Sequence, residues 1–417
     1  MISQLLQDNN CFTCPFSETK QVKPLTSCPL PVPFTLTDFP DWEVILLSSP
    51  SEIKVYAREL NELNNFWLNE CFLDLLQRER QGVIAGAMIL RHQDGTTIIV
   101  STQVFRFSAG NQIRQPGSVE GKVSFRRRLS NLFSFPILTL GQFMVSGRDG
   151  WSGQPETVSP NVTADLLHAA AEAVAKRMGF IPAILIKDLA LLNSPIADAW
   201  RDKGYYQLPV DPSMQLPVRN WKSIEDYLID ISSKYRVRYR RARKMAEAVE
   251  CRELDNLEVQ RRADQLYQLY QNIKAEAAFD AISLSPNYFA ELKERFPDTC
   301  RIYGYFHQGE LIGFRSTLAN GDVLHAHYLG FEQGLNRELH LYHNILFDLL
   351  KEAIDGGYQK LDYGRTALEI KSTIGAEPVH YFCSLRGRNA LVRWVIRRFT
   401  PALFRATEWQ QRRPFKG

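Results

Sequence analysis

Hydrophobic positions fall into two similar runs. Over residues 340–357, Leu341, Tyr342, Ile345, Leu346, Leu349, Leu350 and Ala353 form a wide stripe at helical spacing, closed by Gly356 and Gly357. Over residues 160–178, Leu166, Leu167, Ala170, Val174 and Met178 do the same, with Pro160 in the first turn and Gly179 after the last. Each predicted helix is followed by a short buried-type strand, a short helix ending at glycine (Gly204, Gly375) and a further strand. Each is preceded by a strand meander: 82–92, 96–107 and 135–145 in the first half, and three strands within 300–331, joined by HQG and NGD, in the second. Further helices are predicted near 52–64, 66–80, 221–231, 232–249, 256–278 and 286–295. The repeated order predicts two copies of one α/β domain. Residues 1–40 read as an irregular arm, 41–215 as the first domain, 216–390 as the second with a helical N-terminal part, and 391–417 as a basic amphipathic tail. Three prolines within 209–218 read as a linker, and 378–386 as the last strand of the second domain.

Composition narrows the class. The 417 residues are 45% hydrophobic and 23% charged, with a net charge of +4, as expected of a globular protein with a sizeable core in each half. No apolar run reaches the ~18–20 residues of a membrane-spanning helix. The N-terminus lacks a basic segment followed by an apolar one. Seven scattered cysteines suit a reducing compartment. Cys11 and Cys14 have only Cys28 nearby, short of the roughly four ligands zinc needs, so no metal is expected. A cytoplasmic protein is the expectation, with peripheral contact at the inner membrane face as an option through the tail.

The chemistry-bearing residues cluster at the end of the second half. Gly364 permits a sharp turn or a close backbone approach. Thr366 and Glu369 have capping-box spacing, which would start a helix directly after Arg365. Lys371 falls at the edge of that helix's apolar stripe, where its amine can face a cleft. A strand end leading into a helix N-terminus is where α/β folds hold anions, and Arg365 and Lys371 add positive charge there. On the strand 322–330, His325 and His327 share a face by alternation; imidazole suits proton transfer near neutral pH. Glu332 is a further base candidate, and Tyr363 and Tyr328 could donate a proton to a leaving group.

Two segments are strongly basic. Lys234–Lys244 holds seven Lys and Arg in eleven residues, Arg236 and Arg240 among them. Like charges at i,i+4 repel, so an anionic partner is expected: donor phosphates, tRNA or acidic side chains. The tail 386–417 interleaves arginines with Leu391, Trp394, Val395 and Ile396. It can cover the protein's own edge or lie on an anionic membrane. The stretch SFRRRLSNLFSF at 124–135 poses the same choice.

The stretch GGYQKLDYGRTALEIKSTIGAEP resembles the C-terminal motif of the Fem-like branch of the GNAT acyltransferase superfamily, which includes peptidoglycan-bridge peptidyltransferases. The match runs through Gly357, Asp362, Gly364, Arg365, Lys371, Gly375 and Ala376. SSKYRVRYRRARKM (232–245) and LTLGQFMVSGRDGW (138–151) resemble other parts of that family, and the likeness covers most of 80–390. It implies two tandem GNAT-like domains, each a mixed, mostly antiparallel sheet flanked by helices, with a cleft in the second where two central strands splay and the donor's arm adds to the open edge. It implies an N-acyltransferase using acyl-coenzyme A or aminoacyl-tRNA. The acceptor would be an amine on a small molecule or an envelope precursor, and Lys371 would stabilise developing negative charge. The superfamily's glycine-rich phosphate loop is not intact: GFEQGLNRE (330–338) offers only Gly330 and Gly334. The first domain would shape the acceptor cleft without catalysing. Two alternatives are a catalytically silent anion-binding or membrane-surface module and an inner-leaflet lipid-linked N-acyltransferase.

Overall fold

The structure is a computed structural model that describes residues 31–78, 83–108, 134–153, 159–274, 282–403 and 408–416. The Cys11/Cys14 pair, most of the irregular arm and nearly all of the basic stretch at 124–135 lie outside the described residues. In the first half come β1 (Phe34–Leu36), β2 (Phe39–Leu47), α1 (Pro50–Val55), α2 (Ala57–Glu62), α3 (Glu70–Arg78), β3 (Val83–His92), β4 (Thr97–Ser108), β5 (Ser134–Leu140), β6 (Trp151–Ser152), α4 (Pro160–Arg177), β7 (Ala183–Leu191), α5 (Pro195–Asp202) and β8 (Tyr206–Gln207). Next are β9 (Ser213–Pro217), α6 (Ile224–Asp230), α7 (Ser233–Met245), β10 (Val249–Glu253), α8 (Asn256–Arg261), α9 (Ala263–Lys274) and α10 (Tyr288–Arg295). The chain ends with β11 (Cys300–His307), β12 (Glu310–Asn320), β13 (Val323–Phe331), α11 (Gln333–Leu339), α12 (Leu341–Asp355), β14 (Lys360–Asp362), α13 (Leu368–Ser372), β15 (Glu377–Val379), β16 (Tyr381–Gly387) and α14 (Ala390–Leu403).

Two mixed sheets repeat one plan. The first runs β1-β2-β3-β4-β5-β7-β16-β8, and the second β10-β11-β12-β13-β14-β9-β15. From β2 and β10 onward the strands correspond one to one, with a single parallel pair in each sheet, β5 with β7 and β13 with β14. Each half gives its last strand to the other. β9 leaves the first half and pairs antiparallel with β14 and β15, and β16 returns to lie between β7 and β8. Residues 213–217, expected as linker, are thus an inner strand of the second sheet. Its prolines cause no break, because Pro212 precedes the strand and Pro217 ends it. The strand expected at 378–386 divides into β15 in the second sheet and β16 in the first. Two further expectations are corrected: within the arm, residues 34–36 form β1 and 39–40 open β2, and the helix over 232–249 stops at Met245 before β10.

The halves share a core. Phe105, Ile137, Leu185 and Leu385 of the first sheet cluster with Leu266, Tyr270, Phe289, Phe314 and Leu318 of the second half. On the outer faces, α4 covers the first sheet, and α12 and α6 cover the second. All seven residues of the 340–353 stripe are buried except Tyr342, which is half-buried. At about 1.5–3 kcal/mol per fully buried large aliphatic side chain, this stripe is a main fastener of α12.

Candidate active site

The two sheets differ where their parallel strands end. In the second, β13 pairs with β14 over only three positions, from Val323↔Lys360 to His325↔Asp362. Beyond them β13 continues to Phe331 with no strand on that side among the described residues. A bulge lies in this free part: Thr317 faces Ala326 and Arg315 faces Leu329, so His327 and Tyr328 together oppose Ser316. The Ser316 hydroxyl fixes it, accepting from the Tyr328 N–H at 3.0 Å and donating to the Tyr328 carbonyl at 3.1 Å. On either side of Ser316, Arg315 and Thr317 are tied to the buried Glu352 of α12. The first sheet has no register shift between β4 and β5. Its strands stay closed past the paired region, where a Cβ on Gly141 would lie 2.3 Å from the Lys187 carbonyl oxygen. The wedge belongs to the second half alone.

His325 sits at the point of the wedge and His327 on its open side. His325 is 3% exposed, and its Nδ1 lies 4.0 Å from an Asp362 oxygen. Asp362 accepts from the Ser213 hydroxyl (2.7 Å), Gln215 Nε2 (3.0 Å) and the Gly364 N–H (2.7 Å). Both side chains come from β9, the exchanged strand. His327 Nε2 meets the Tyr288 hydroxyl at 2.7 Å. Burial, with a smaller contribution from His325, pushes the His327 pKa down to about 3, so this ring is neutral. Trp67, from a 3-10 turn of the first half, lies over both rings at centroid distances of 5.3 and 5.9 Å. Trp67 Nε1, His325 Nε2 and His327 Nδ1 are all buried with no hydrogen-bond partner in the protein. Unpaired buried polar groups are costly; three in one cluster mark a place built for another molecule's polar atoms. Sequence patterning gave Trp67 no distinguishing signal.

Arg365 and Lys371 do other work than the sequence implied. Arg365 donates at 2.6 Å to Asp188 of β7 and at 3.3 Å to Ser146, joining the halves. Asp188 is fully buried and also accepts from Lys187 Nζ at 2.6 Å and the Gly147 N–H at 3.3 Å. Burial acts to raise its pKa, but Lys187 and Arg365 prevail and hold the carboxyl below its usual range. Lys371 faces no cleft. It is 3% exposed, and its amine donates to the carbonyls of Tyr363 (2.7 Å), Gly364 (3.2 Å) and Arg365 (2.9 Å). The Thr366–Glu369 capping box does not form. Thr366 and Ala367 take left-handed φ of 81° and 47°, and Ala367 is the N-cap. This tight loop brings the three carbonyls around the amine.

Burial pulls the Lys371 pKa down to about 7, opposed by the charge of Asp362. An unfolded lysine titrates near ~10.4, so between these values the unfolded chain binds more protons and stability rises with pH. Lys371→Met should remove this rise and cost about 1–3 kcal/mol from the abandoned carbonyls. Urea unfolding across the pH window checks it; equal slopes for both proteins would contradict the assignment.

The remaining expected residues are dispersed. The Tyr363 hydroxyl is buried and donates to the Leu346 carbonyl at 2.9 Å, with burial raising its pKa well above the usual value. Gly364 has φ 69°. A Cβ on Gly330 would lie 2.4 Å from the Leu269 carbonyl carbon, so that glycine lets α9 approach β13. Gly334 and Glu332 are exposed at the start of α11, away from His325. Arg236 caps the end of α6 through the Ile231 carbonyl at 2.5 Å, and Arg240 is exposed. Among the described residues, no group of His, Cys, Asp or Glu could hold a metal ion, and no helix is long and apolar enough to cross a membrane.

Comparison with known proteins agrees with this geometry. Residues 233–372 match the Acetyltransferase (GNAT) domain family model. No protein of curated function matches the chain. The crystal structure of FemX is similar, with a TM-score of 0.53 at 10% identity over 82% of this chain and 98% of that one. Others are a tandem GNAT protein from the clavulanic acid biosynthesis pathway (TM-score 0.48, 10% identity, 84% of this chain and 99% of that one) and the C-terminal domain of a putative lysylphosphatidylglycerol synthetase from Agrobacterium fabrum (0.45, 9%, 85% and 98%). Residues 233–372 of the second half are thus similar to a GNAT acetyltransferase domain, the likeness to FemX is one of fold, and the two sheets of this chain repeat one plan.

Proposed function

We propose that this protein is an N-acyltransferase working at the parted end of β13 and β14. The donor's arm adds along Ala326–Phe331, a backbone edge that pairs with no strand among the described residues. An amine acceptor then attacks the acyl carbon. His325 Nε2 takes the amine proton, and the nearby Asp362 carboxylate stabilises the imidazolium. The new C–N bond forms as the acyl–sulfur bond of a thioester breaks, and the imidazolium returns its proton to the leaving thiolate. Trp67 N–H, and His327 Nδ1–H when Tyr288 donates to Nε2, are the donors for the developing oxyanion. The observation carrying this reading is the trio of buried nitrogens without protein partners at the one place where the parallel strands part.

Acyl-coenzyme A is the donor this reading favours, although residues 330–338 supply no glycine-rich phosphate cradle. Aminoacyl-tRNA is the second reading, supported by Lys234, Arg238, Arg240, Arg241 and Lys244, all exposed on α7. The acceptor would be a small-molecule amine or an envelope precursor, and the setting cytoplasmic. Thermal unfolding with each donor separates the two. A thioester at ~100 times its Kd should add about 2.7 kcal/mol of stability; steeply salt-dependent tRNA binding with no thioester effect would favour the second. No turnover and no stabilisation by either would leave a silent module.

A further inference from the structure

Trp67 reaches the wedge from a 3-10 turn, Phe66–Leu68. A turn this short has too few internal hydrogen bonds to hold its own place. Its apolar side is buried: Phe66 packs on Phe296, just after α10, at a centroid distance of 4.9 Å, and Trp67 packs on Phe72 at 5.4 Å. Apolar burial is non-directional, so these contacts keep the turn in the shared core without setting where the indole N–H aims. Polar bonds do that. Asn65 Oδ1 accepts from the Trp67 backbone N–H at 3.0 Å, and Asn65 Nδ2 donates to the Asp149 carbonyl at 3.0 Å. Asn320 Oδ1 accepts from the Phe66 backbone N–H at 2.9 Å, and Asn320 Nδ2 donates to the Asp149 carboxylate at 3.0 Å. The bonds close a ring through Asn65, Phe66, Asn320 and Asp149, with Trp67 tied into it. Asn320 is the last residue of β12 and pairs with Val323, two residues before His325. The ring therefore fastens the Trp67 turn to the hairpin that carries both histidines. Asp149 is itself held, because a Cβ on its neighbour Gly150 would lie 2.7 Å from the Gln142 nitrogen, so this loop lies tight against the end of the first sheet.

We propose that Asn320 and Asp149 are positioning residues: together they hold Trp67 Nε1 on the developing oxyanion, so that the first half completes the site of the second. The inference rests on the acyl-transfer reading for its kinetic consequence and on the hydrogen-bonded ring alone for its geometry. An oxyanion donor stabilises charge only when it already points at it, and a displacement of about 1 Å can cost about 10²-fold in rate. The donor's arm lies along Ala326–Phe331, on the far side of His325 from Asn320, so the effect falls on kcat and not on the donor's KM.

Asn320→Asp in the full chain tests it. The introduced carboxylate still accepts from the Phe66 N–H but faces the Asp149 carboxylate and repels it. With an acyl-coenzyme A donor, kcat should fall by about 10–100-fold while the donor's KM changes little. Adding Asp149→Asn supplies an amide that donates back to that carboxylate, closing the ring with one bond reversed, and should restore most of the lost rate. A second readout needs no turnover. In protein labelled with fluorotryptophan, the Trp67 fluorine resonance, assigned by its loss in Trp67→Phe, should shift or broaden in Asn320→Asp and return in the double variant. A merely structural role would lower the melting temperature and leave both the resonance and the kcat of the folded protein as in the wild type. The proposal is overturned by that result, or by a double variant that recovers neither readout. A wild type that turns over no donor would sink the acyl-transfer reading instead, and the fluorine signal alone would then decide whether Asn320 and Asp149 place Trp67.

Discussion

His325→Gln lowers kcat by about 10²–10⁴-fold, the usual contribution of a positioned general base, while the KM for the acyl donor changes little. Glutamine keeps a polar tip of similar reach but cannot take the amine proton. The fold should tolerate it, because His325 Nε2 bonds to no protein group and the Asp362 contact at 4.0 Å is electrostatic. His327 should behave differently. Its ring is already neutral, with a pKa near 3, so substituting it should leave the pH dependence of kcat as it is. It should instead cost stability, through the partner lost to the buried Tyr288 hydroxyl. Steady-state kinetics of both variants across pH distinguishes the roles. A His325→Gln enzyme with wild-type kcat would remove His325 from the mechanism.

Arg365→Ala should destabilise the chain by about 2–4 kcal/mol. Breaking a fully buried ion pair costs about 3–5 kcal/mol; the figure is discounted because Lys187 still holds Asp188 and the Arg365 side chain is 20% exposed. Acid sensitivity gives a second readout. The Asp188 carboxyl is held below its usual value, so its contribution is present above the unfolded pKa of about 3.9 and is lost as pH falls through the folded value. Without Arg365 the folded value rises, and this contribution shrinks and fades at higher pH. Chemical unfolding at neutral and acid pH measures both effects. Because the pair joins the halves, the variant should also lose donor binding more than a substitution on the outer face of α4 does.

Much of the architecture was readable because its signals are local. The apolar stripes of 160–178 and 340–353, their glycine stops and the hairpins at HQG and NGD depend on neighbours a few residues away. The strand exchange was not readable. Ser213–Pro217 and Tyr381–Gly387 are short buried strands, and nothing within them says which sheet they join; pairing is decided by residues far off in sequence. β1 and β2 escaped for a related reason, because Phe39–Leu47 becomes an evident strand only beside β3. At the site, spacing placed His325 and His327 on one face of β13 but could not give contents to that face, which Trp67, Tyr288 and Asp362 supply. Lys371 was misplaced because helical spacing assumes a regular helix start. Left-handed Thr366 and Ala367 instead fold the preceding carbonyls back over its amine. Asp188 carries no motif and is visible only as Arg365's partner.

The account turns on where a donor lies. Amide hydrogen exchange with and without an acyl-coenzyme A thioester, read residue by residue, measures that directly. Protection should appear along Ala326–Phe331, with the corresponding strand end after β5 unchanged. Protection confined to the first half, or a bound thioester that leaves Ala326–Phe331 exchanging as before, would contradict it.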